Sequence, residues 1–307
     1  MRLRAAPLRP RLTAAATALA LAGLTAAALT ACDSPSPHDT ASTSRKPSAR
    51  PSPSPSPTPV WNTAPRSVAA VGDSITRGFD ACGILADCPE VSWATGSDAT
   101  VNSVALRLLG PAGVGTRSWN HAVSGADAAD LPDQMAEAAA RRPDLVTVMV
   151  GANDACADTV DRMTPVHAFR TSVEQSMKVL RTTAPKTQVY VSSVPDLKRL
   201  WETGRDDPLG RGIWELGICA TMLGDAGNDG PAAQQRRETV HQRVVAYNAV
   251  LKDVCAEDER CRWDDGEVFG FRFGKQQLSR WDWFHPSRDG QRRLAEIAYR
   301  NITAPDA

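Results

Sequence analysis

Apolar positions along the chain fall into two regimes. Residues 12–31 form one uncharged run of mostly Ala, Leu and Thr. From Ser67 onward, short apolar runs alternate with longer segments of helical spacing. Ser67–Val71, Trp119–Val123, Asp144–Val150 and Gln188–Val194 read as strands. Asp144–Val150 is the strongest of them, with near-continuous apolar character that implies burial on both faces, as in a parallel sheet. Residues 101–109, 126–142, 165–183, 232–256 and 289–301 read as helices. Strands alternating with helices predict a three-layer α/β/α sandwich around a central, mainly parallel sheet.

The first regime has a different meaning. Arg2, Arg4, Arg9 and Arg11 precede the uncharged run, and small residues end it at Leu29-Thr30-Ala31-Cys32. A basic start, an apolar stretch and small residues before a cut describe a secretory signal peptide over 1–31. The Leu-x-Ala-Cys ending looks like a bacterial lipobox, which implies cleavage before Cys32 and lipidation of its thiol. Plain secretion and an uncleaved anchor are the alternatives. Twenty uncharged residues could just span a bilayer, but only five are Leu and none is Ile, Val or Phe. Residues 33–65 then hold nine Pro and twelve Ser or Thr. Such a segment has too little apolar surface to offset its ordering entropy. Residues 32–66 are therefore expected to be a disordered tether, leaving 67–307 as the folded domain. The expected location is the outer side of the cell membrane, through a lipid anchor, or the exterior.

Composition sharpens this. The 307-residue precursor has 35 basic and 35 acidic residues. Four basic residues in the signal peptide and four in residues 32–66, the latter against two acidic ones, mask an acidic domain, with 27 basic against 33 acidic residues from position 67 onward. That balance excludes nucleic-acid binding as the main theme. With Cys32 set aside, six cysteines remain, and an even number in an exported domain suggests disulfides. Fifteen connectivities are formally open. Cys82 and Cys88 are six apart, as are Cys255 and Cys261, so short loops can pair them, which leaves Cys156 with Cys219. No Cys-x-x-Cys and no His pair at ligand spacing points to a metal.

Sites in parallel α/β sheets form at the carboxyl ends of strands. After the first strand comes Gly72-Asp73-Ser74, after the second Ser124-Gly125, and after the third Gly151-Ala-Asn153-Asp154. Near the chain end lies Asp282-Trp-Phe-His285. Ser74 is a candidate nucleophile, which needs a base to take its proton. His285 can be that base, and Asp282, three residues earlier, can hold the other ring N–H. The N–H groups of Ser74 and Gly125 and the amide of Asn153 could stabilise an oxyanion. His121 reads as a core or supporting residue, His38, His167 and His241 as solvated. Trp281 and Trp283 are candidates for lining an acyl or sugar pocket.

Taken in order, these blocks resemble the SGNH hydrolases, also called GDSL esterases and lipases. The matching residues are Gly72-Asp73-Ser74-Ile75-Thr76, Gly125, Gly151-Ala152-Asn153-Asp154 and Asp282-Trp283-Phe284-His285. The cysteine pattern looks like the secreted, disulfide-bearing branch. The resemblance implies a monomeric carboxylic ester hydrolase that uses Ser74, His285 and Asp282, needs no cofactor, and acts on lipid or acylated-carbohydrate esters. The alternative is a non-catalytic envelope lipoprotein that binds glycan or peptide in a hydrolase-like cleft. No Gly-x-Ser-x-Gly elbow surrounds Ser74, which disfavours the α/β-hydrolases.

Overall fold

A computed structural model of the chain describes residues 60–305. The expected signal peptide, the expected lipidation site at Cys32, His38 and the expected tether up to Pro59 lie outside the described residues. Five strands form one parallel sheet: β1 (Val68–Gly72), β2 (Ser118–Asn120), β3 (Leu145–Met149), β4 (Gln188–Val191) and β5 (Cys261–Trp263). Their spatial order is β2-β1-β3-β4-β5. Every residue of β1, β3 and β4 is buried. Successive side chains on a strand point to opposite faces, so both faces of the sheet are covered. The helices Leu131–Ala140, Val166–Thr183 and Pro231–Ala256 pack against one another in turn as one group. Val104–Arg117 and Arg288–Thr303 pack together as another. This is the expected three-layer arrangement.

The chain steps outward from β1 to β2, then crosses back past β1 to β3. The β1/β3 boundary is therefore the point where strand order reverses. In such sheets a crevice opens there, at the carboxyl ends of the strands. The two strands are held close. A Cβ on Gly72 would sit 2.1 Å from the Met149 carbonyl oxygen, and Gly72 has φ +141°. Only glycine meets both conditions.

Most strand and helix expectations are matched with small shifts, but the helix expected over 101–109 starts at Val104 and continues, through a break at Gly110 before Pro111, to Arg117. The second strand is shorter than its apolar run, with three residues in the ladder. His121 and Val123 still donate to the carbonyls of Ala70 (2.8 Å) and Gly72 (3.1 Å), so the chain follows β1 past the formal strand. Strand β5 carries Arg262 between Cys261 and Trp263 and is too short for an apolar run to reveal. The domain also begins earlier than Ser67. Trp61 is buried, its indole N–H donates to the Ile302 carbonyl (2.8 Å), and Arg262 stacks over its ring. One large apolar ring at the end of a Pro-rich stretch is enough to dock the segment that patterning assigned to the tether.

Disulfides join Cys82–Cys88, Cys156–Cys219 and Cys255–Cys261, the pairs read from spacing. No described helix is long and apolar enough to cross a membrane. The Cys156–Cys219 bond closes a loop with a sequence separation of 63, against 6 for each of the others. Loop-closure entropy then assigns it about 4 kcal/mol, against about 2 kcal/mol for a short loop. Replacing Cys156 and Cys219 together by Ser should lower Tm by roughly 10 °C, more than the same change at Cys255 and Cys261. An equal or reversed ranking in a thermal melt would contradict this assignment.

Candidate active site

The site is built at the carboxyl ends of β1, β2 and β3. Strand β1 ends in Gly72, and Asp73 caps a one-turn helix, Ser74–Arg77, by accepting from the Ile75 N–H (2.9 Å). Ser74 is thereby set at the first position of that turn, at the mouth of the crevice. A buried glutamine fixes the strand end beneath it. Gln134 accepts from the Gly72 N–H (2.7 Å) and donates to the Gly72 carbonyl (3.0 Å).

His285 approaches from the far end of the sequence. Its Nε2 lies 2.8 Å from Ser74 Oγ, across a separation of 211 residues. Its Nδ1 is hydrogen-bonded to Asp282 Oδ2. The other carboxylate oxygen of Asp282 accepts from the backbone N–H groups of Phe284 (2.9 Å) and His285 (3.0 Å). The Asp-x-x-His spacing is thus a tight turn that folds back on its own carboxylate. Phe79 and Phe284 flank the imidazole, each with its centroid 4.9 Å away. A serine hydroxyl, an imidazole and a carboxylate in this order can move a proton from Ser74 to His285 while Asp282 holds the ring.

The oxyanion candidates come from the two neighbouring strand ends. Gly125 has φ +86° and is exposed, and a Cβ there would meet nothing within 4 Å. Asn153 stands on the short helix Ala152–Ala155 after β3, and its side-chain amide donates to the Ala126 carbonyl (2.8 Å). That bond ties the Asn153 and Gly125 segments together. The N–H groups of Ser74 and Gly125 donate to no protein acceptor among the described residues.

Burial drives the electrostatics. Asp282 is pulled two ways: burial works to raise it, while the hydrogen bond and charge of His285 and the two backbone N–H groups hold it below the usual carboxylate range. Asp73 is pushed up to about 6 by burial, with the Ile75 N–H and the charge of His285 pulling back. Asp154 is pushed up to about 7, again by burial first, with Thr164 opposing and Asp127 adding. Its carboxyl accepts from the Ala128 N–H (3.0 Å), so it braces the segment that follows Gly125. Asp80, Asp282 and His285 bring side-chain polar atoms within 4.8 Å of one another.

The remaining candidates separate. His167 is exposed. His241 is not simply solvated: it is half-buried, with Nδ1 3.2 Å from Asp196 and its ring beside Phe269. His121 pairs with Glu137 (3.0 Å) beside the Gly125 segment. The tryptophans do not form the apolar crevice next to the site. Trp283 packs against Gly210, and Trp281 lies under Arg280. Ile75, Ala152, Leu197, Leu200, Phe273 and Phe284 line that crevice instead. Three of these are sequence neighbours of Ser74, Asn153 and His285.

Sequence reading missed Gln134 and Gln291. Gln291 accepts from the Trp93 N–H (2.9 Å) and donates to the Ile75 carbonyl (2.8 Å), locking the His285 end of the chain to the Ser74 turn. Each sits at a buried position on the apolar stripe of its helix, near Leu131 and Met135 or near Leu294 and Ala295. A polar residue in such a register is the signal that could have found them.

Comparison with known proteins shows the family. The model of the GDSL-like lipase/acylhydrolase family matches residues 70–293, more than half of the chain. The chain belongs to that family. It is an esterase-type hydrolase by membership. No curated protein matches. Among solved structures, the phospholipase A1 of Streptomyces albidoflavus is similar at 18% identity, covering 78% of this chain and 99% of that one, with TM-score 0.45. A family 3 carbohydrate esterase of Clostridium thermocellum is similar at 15%, covering 76% and 94%, with TM-score 0.45. An extracellular lipase of Streptomyces rimosus is similar at 16%, covering 78% and 99%, with TM-score 0.43.

The raised carboxyls carry a stability prediction. A native carboxyl pushed up to about 7 keeps its proton between about pH 4 and 7, where the unfolded chain has lost it. Its contribution is therefore fully present below about pH 4 and is lost as pH rises through about 7. Asp154→Asn cannot ionise, so its Tm relative to wild type should rise between pH 5 and pH 8. A Tm difference that stays constant across that range would show that Asp154 does not titrate in the native protein.

Proposed function

We propose that this protein is a serine-dependent carboxylic ester hydrolase working through an acyl-enzyme on Ser74. The observation that carries the reading is the unbroken chain from Ser74 Oγ through His285 to Asp282, with Nε2 at 2.8 Å from the hydroxyl. His285 takes the Ser74 proton as Oγ attacks the ester carbonyl. The negative oxygen that forms is met by the N–H groups of Ser74 and Gly125 and by the Asn153 amide. The alcohol then leaves with the proton from His285. Water, activated by the same imidazole, attacks the acyl group and releases the acid. Every step uses groups of the chain itself. A non-catalytic binding role would not require a serine hydroxyl aligned with an imidazole that a carboxylate orients.

The size of the apolar crevice bears on the substrate. Its volume is about 20 Å³, room for little more than one water-sized group. An acetyl methyl fits within such a space, whereas an octanoyl chain would reach beyond it. The enclosed part of the crevice thus favours a short-chain ester, such as an O-acetylated glycan, and a longer acyl chain would have to extend through its open side. The family accommodates both types of ester. Three disulfides fit an oxidising compartment. With the leader and Pro-rich segment, they suit a monomeric domain held outside the cell membrane by lipid on Cys32.

Ser74→Ala and His285→Ala should each lower kcat on p-nitrophenyl acetate by about 10⁴-fold or more, with native-like circular dichroism. Full activity in Ser74→Ala would refute the assignment. The octanoate ester should show a lower kcat/KM than the acetate. An equal or higher value would overturn the short-chain reading alone.

A further inference from the structure

Asp80 is a buried carboxyl that the reaction described above does not use. It is 2% exposed and sits between the Ser74 turn and the Cys82–Cys88 loop. Its backbone is held with φ 55°, an unusual conformation for a residue other than glycine. Two hydrogen bonds fix it there: its N–H donates to the Ala86 carbonyl (3.0 Å), and its carbonyl accepts from the buried Ser279 hydroxyl (2.8 Å). Its carboxyl lies within 4.8 Å of both the Asp282 carboxylate and a His285 ring nitrogen. One of its oxygens, Oδ1, is buried without a partner.

Two carboxyls this close, both buried, cannot both ionise without a large penalty. Asp282 is the one committed to negative charge, because two backbone N–H groups and the His285 ring all donate to it. A proton on Asp80 turns a repulsive neighbour into a donor. We propose that Asp80 is a positioning residue that keeps a proton and donates it to Asp282, extending the chain to Asp80–Asp282–His285–Ser74. This rests on the esterase reading for its kinetic consequence, but not for the state of the carboxyl itself.

The surroundings agree. Burial first, then the charge and hydrogen bonding of Asp282, push Asp80 up to about 6, with the Leu85 N–H and the charge of His285 opposing. The hollow that Asp80 borders also carries Lys275, Arg280, Arg288 and Asp289. These have other contacts: Lys275 with Asp207 (3.3 Å), Arg288 with Asp98 (3.0 Å), Asp289 with Arg292, and Arg280 over the Trp281 ring. None of those contacts neutralises Asp80.

The test compares Asp80→Asn, which keeps a donor without charge, with Asp80→Ala, which removes it. On p-nitrophenyl acetate near pH 5.5, Asp80→Asn should keep kcat within about threefold of wild type. Asp80→Ala should lose about tenfold or more in kcat with KM unchanged, the scale of a hydrogen bond to a charged group. Infrared difference spectra of wild type minus Asp80→Asn should show the carbonyl band of a neutral carboxylic acid, fading with a midpoint near pH 6. Absence of that band at pH 5, or an Asp80→Asn variant as impaired as Asp80→Ala, overturns the proposal. So does wild-type kcat in Asp80→Ala. A cation held by the three side chains would make Asp80→Asn inactive and wild type sensitive to EDTA, which also overturns it. If wild type hydrolyses no ester and takes no fluorophosphonate label, the esterase reading fails, and the infrared band still decides whether Asp80 is protonated. Should Asp80→Ala fail to fold, the band and Asp80→Asn suffice.

Discussion

Two ends of the domain must meet for this site to exist, and a buried amide beside Ser74 is central to joining them. Gln291 is wholly buried, accepting from the Trp93 N–H and donating to the Ile75 carbonyl. Helix Arg288–Thr303 is thereby seated against the one-turn helix that follows β1, and His285 sits just ahead of it. An unpaired amide in that position would cost a few kcal/mol, so the register of the last helix is tightly set. The 2.8 Å approach of His285 to Ser74 follows from that register. Gln134 does the same work at the other side of Ser74, by satisfying both polar groups of Gly72.

The sheet explains why the polar chemistry gathers where it does. β1, β3 and β4 are buried on both faces and leave no room for charged groups along their length. Polar side chains that must be near the core collect at the strand ends, where the order reverses between β1 and β3. There the protein accepts an electrostatic cost. Asp73, Asp80 and Asp154 are all buried, and all are pushed up by that burial. Clustered shifts of this kind are characteristic of functional sites. Asp282 is the exception among its neighbours, held low by the donors that fold around it.

Much of this was legible in the sequence, for physical reasons. Long runs such as Leu145–Met149 reveal a buried parallel strand because nearly every side chain must be apolar, Thr147 being the one polar residue. Gly72-Asp73-Ser74, Gly151-Ala152-Asn153 and Asp282-x-x-His285 were legible because each is a local turn whose chemistry depends on adjacent residues. Strand β5 was not, since Cys-Arg-Trp has no apolar periodicity and pairs only because β4 supplies a free edge. Trp61 was hidden in a segment whose composition otherwise reads as tether. Asp80, Gln134 and Gln291 were hidden because their roles arise from contacts across 62 to 216 positions or from burial beside Asp282. No local pattern encodes such distances.

The central claim is that Ser74 carries the acyl group between two half-reactions. The most direct test is to quench the protein with acid during turnover of p-nitrophenyl acetate and to map the digested peptides by mass spectrometry. The account predicts one acetyl group on the peptide containing Ser74, localised to that hydroxyl and absent when His285 is replaced by Ala. Turnover with no acylated Ser74, or with the acetyl group on another residue, would contradict it.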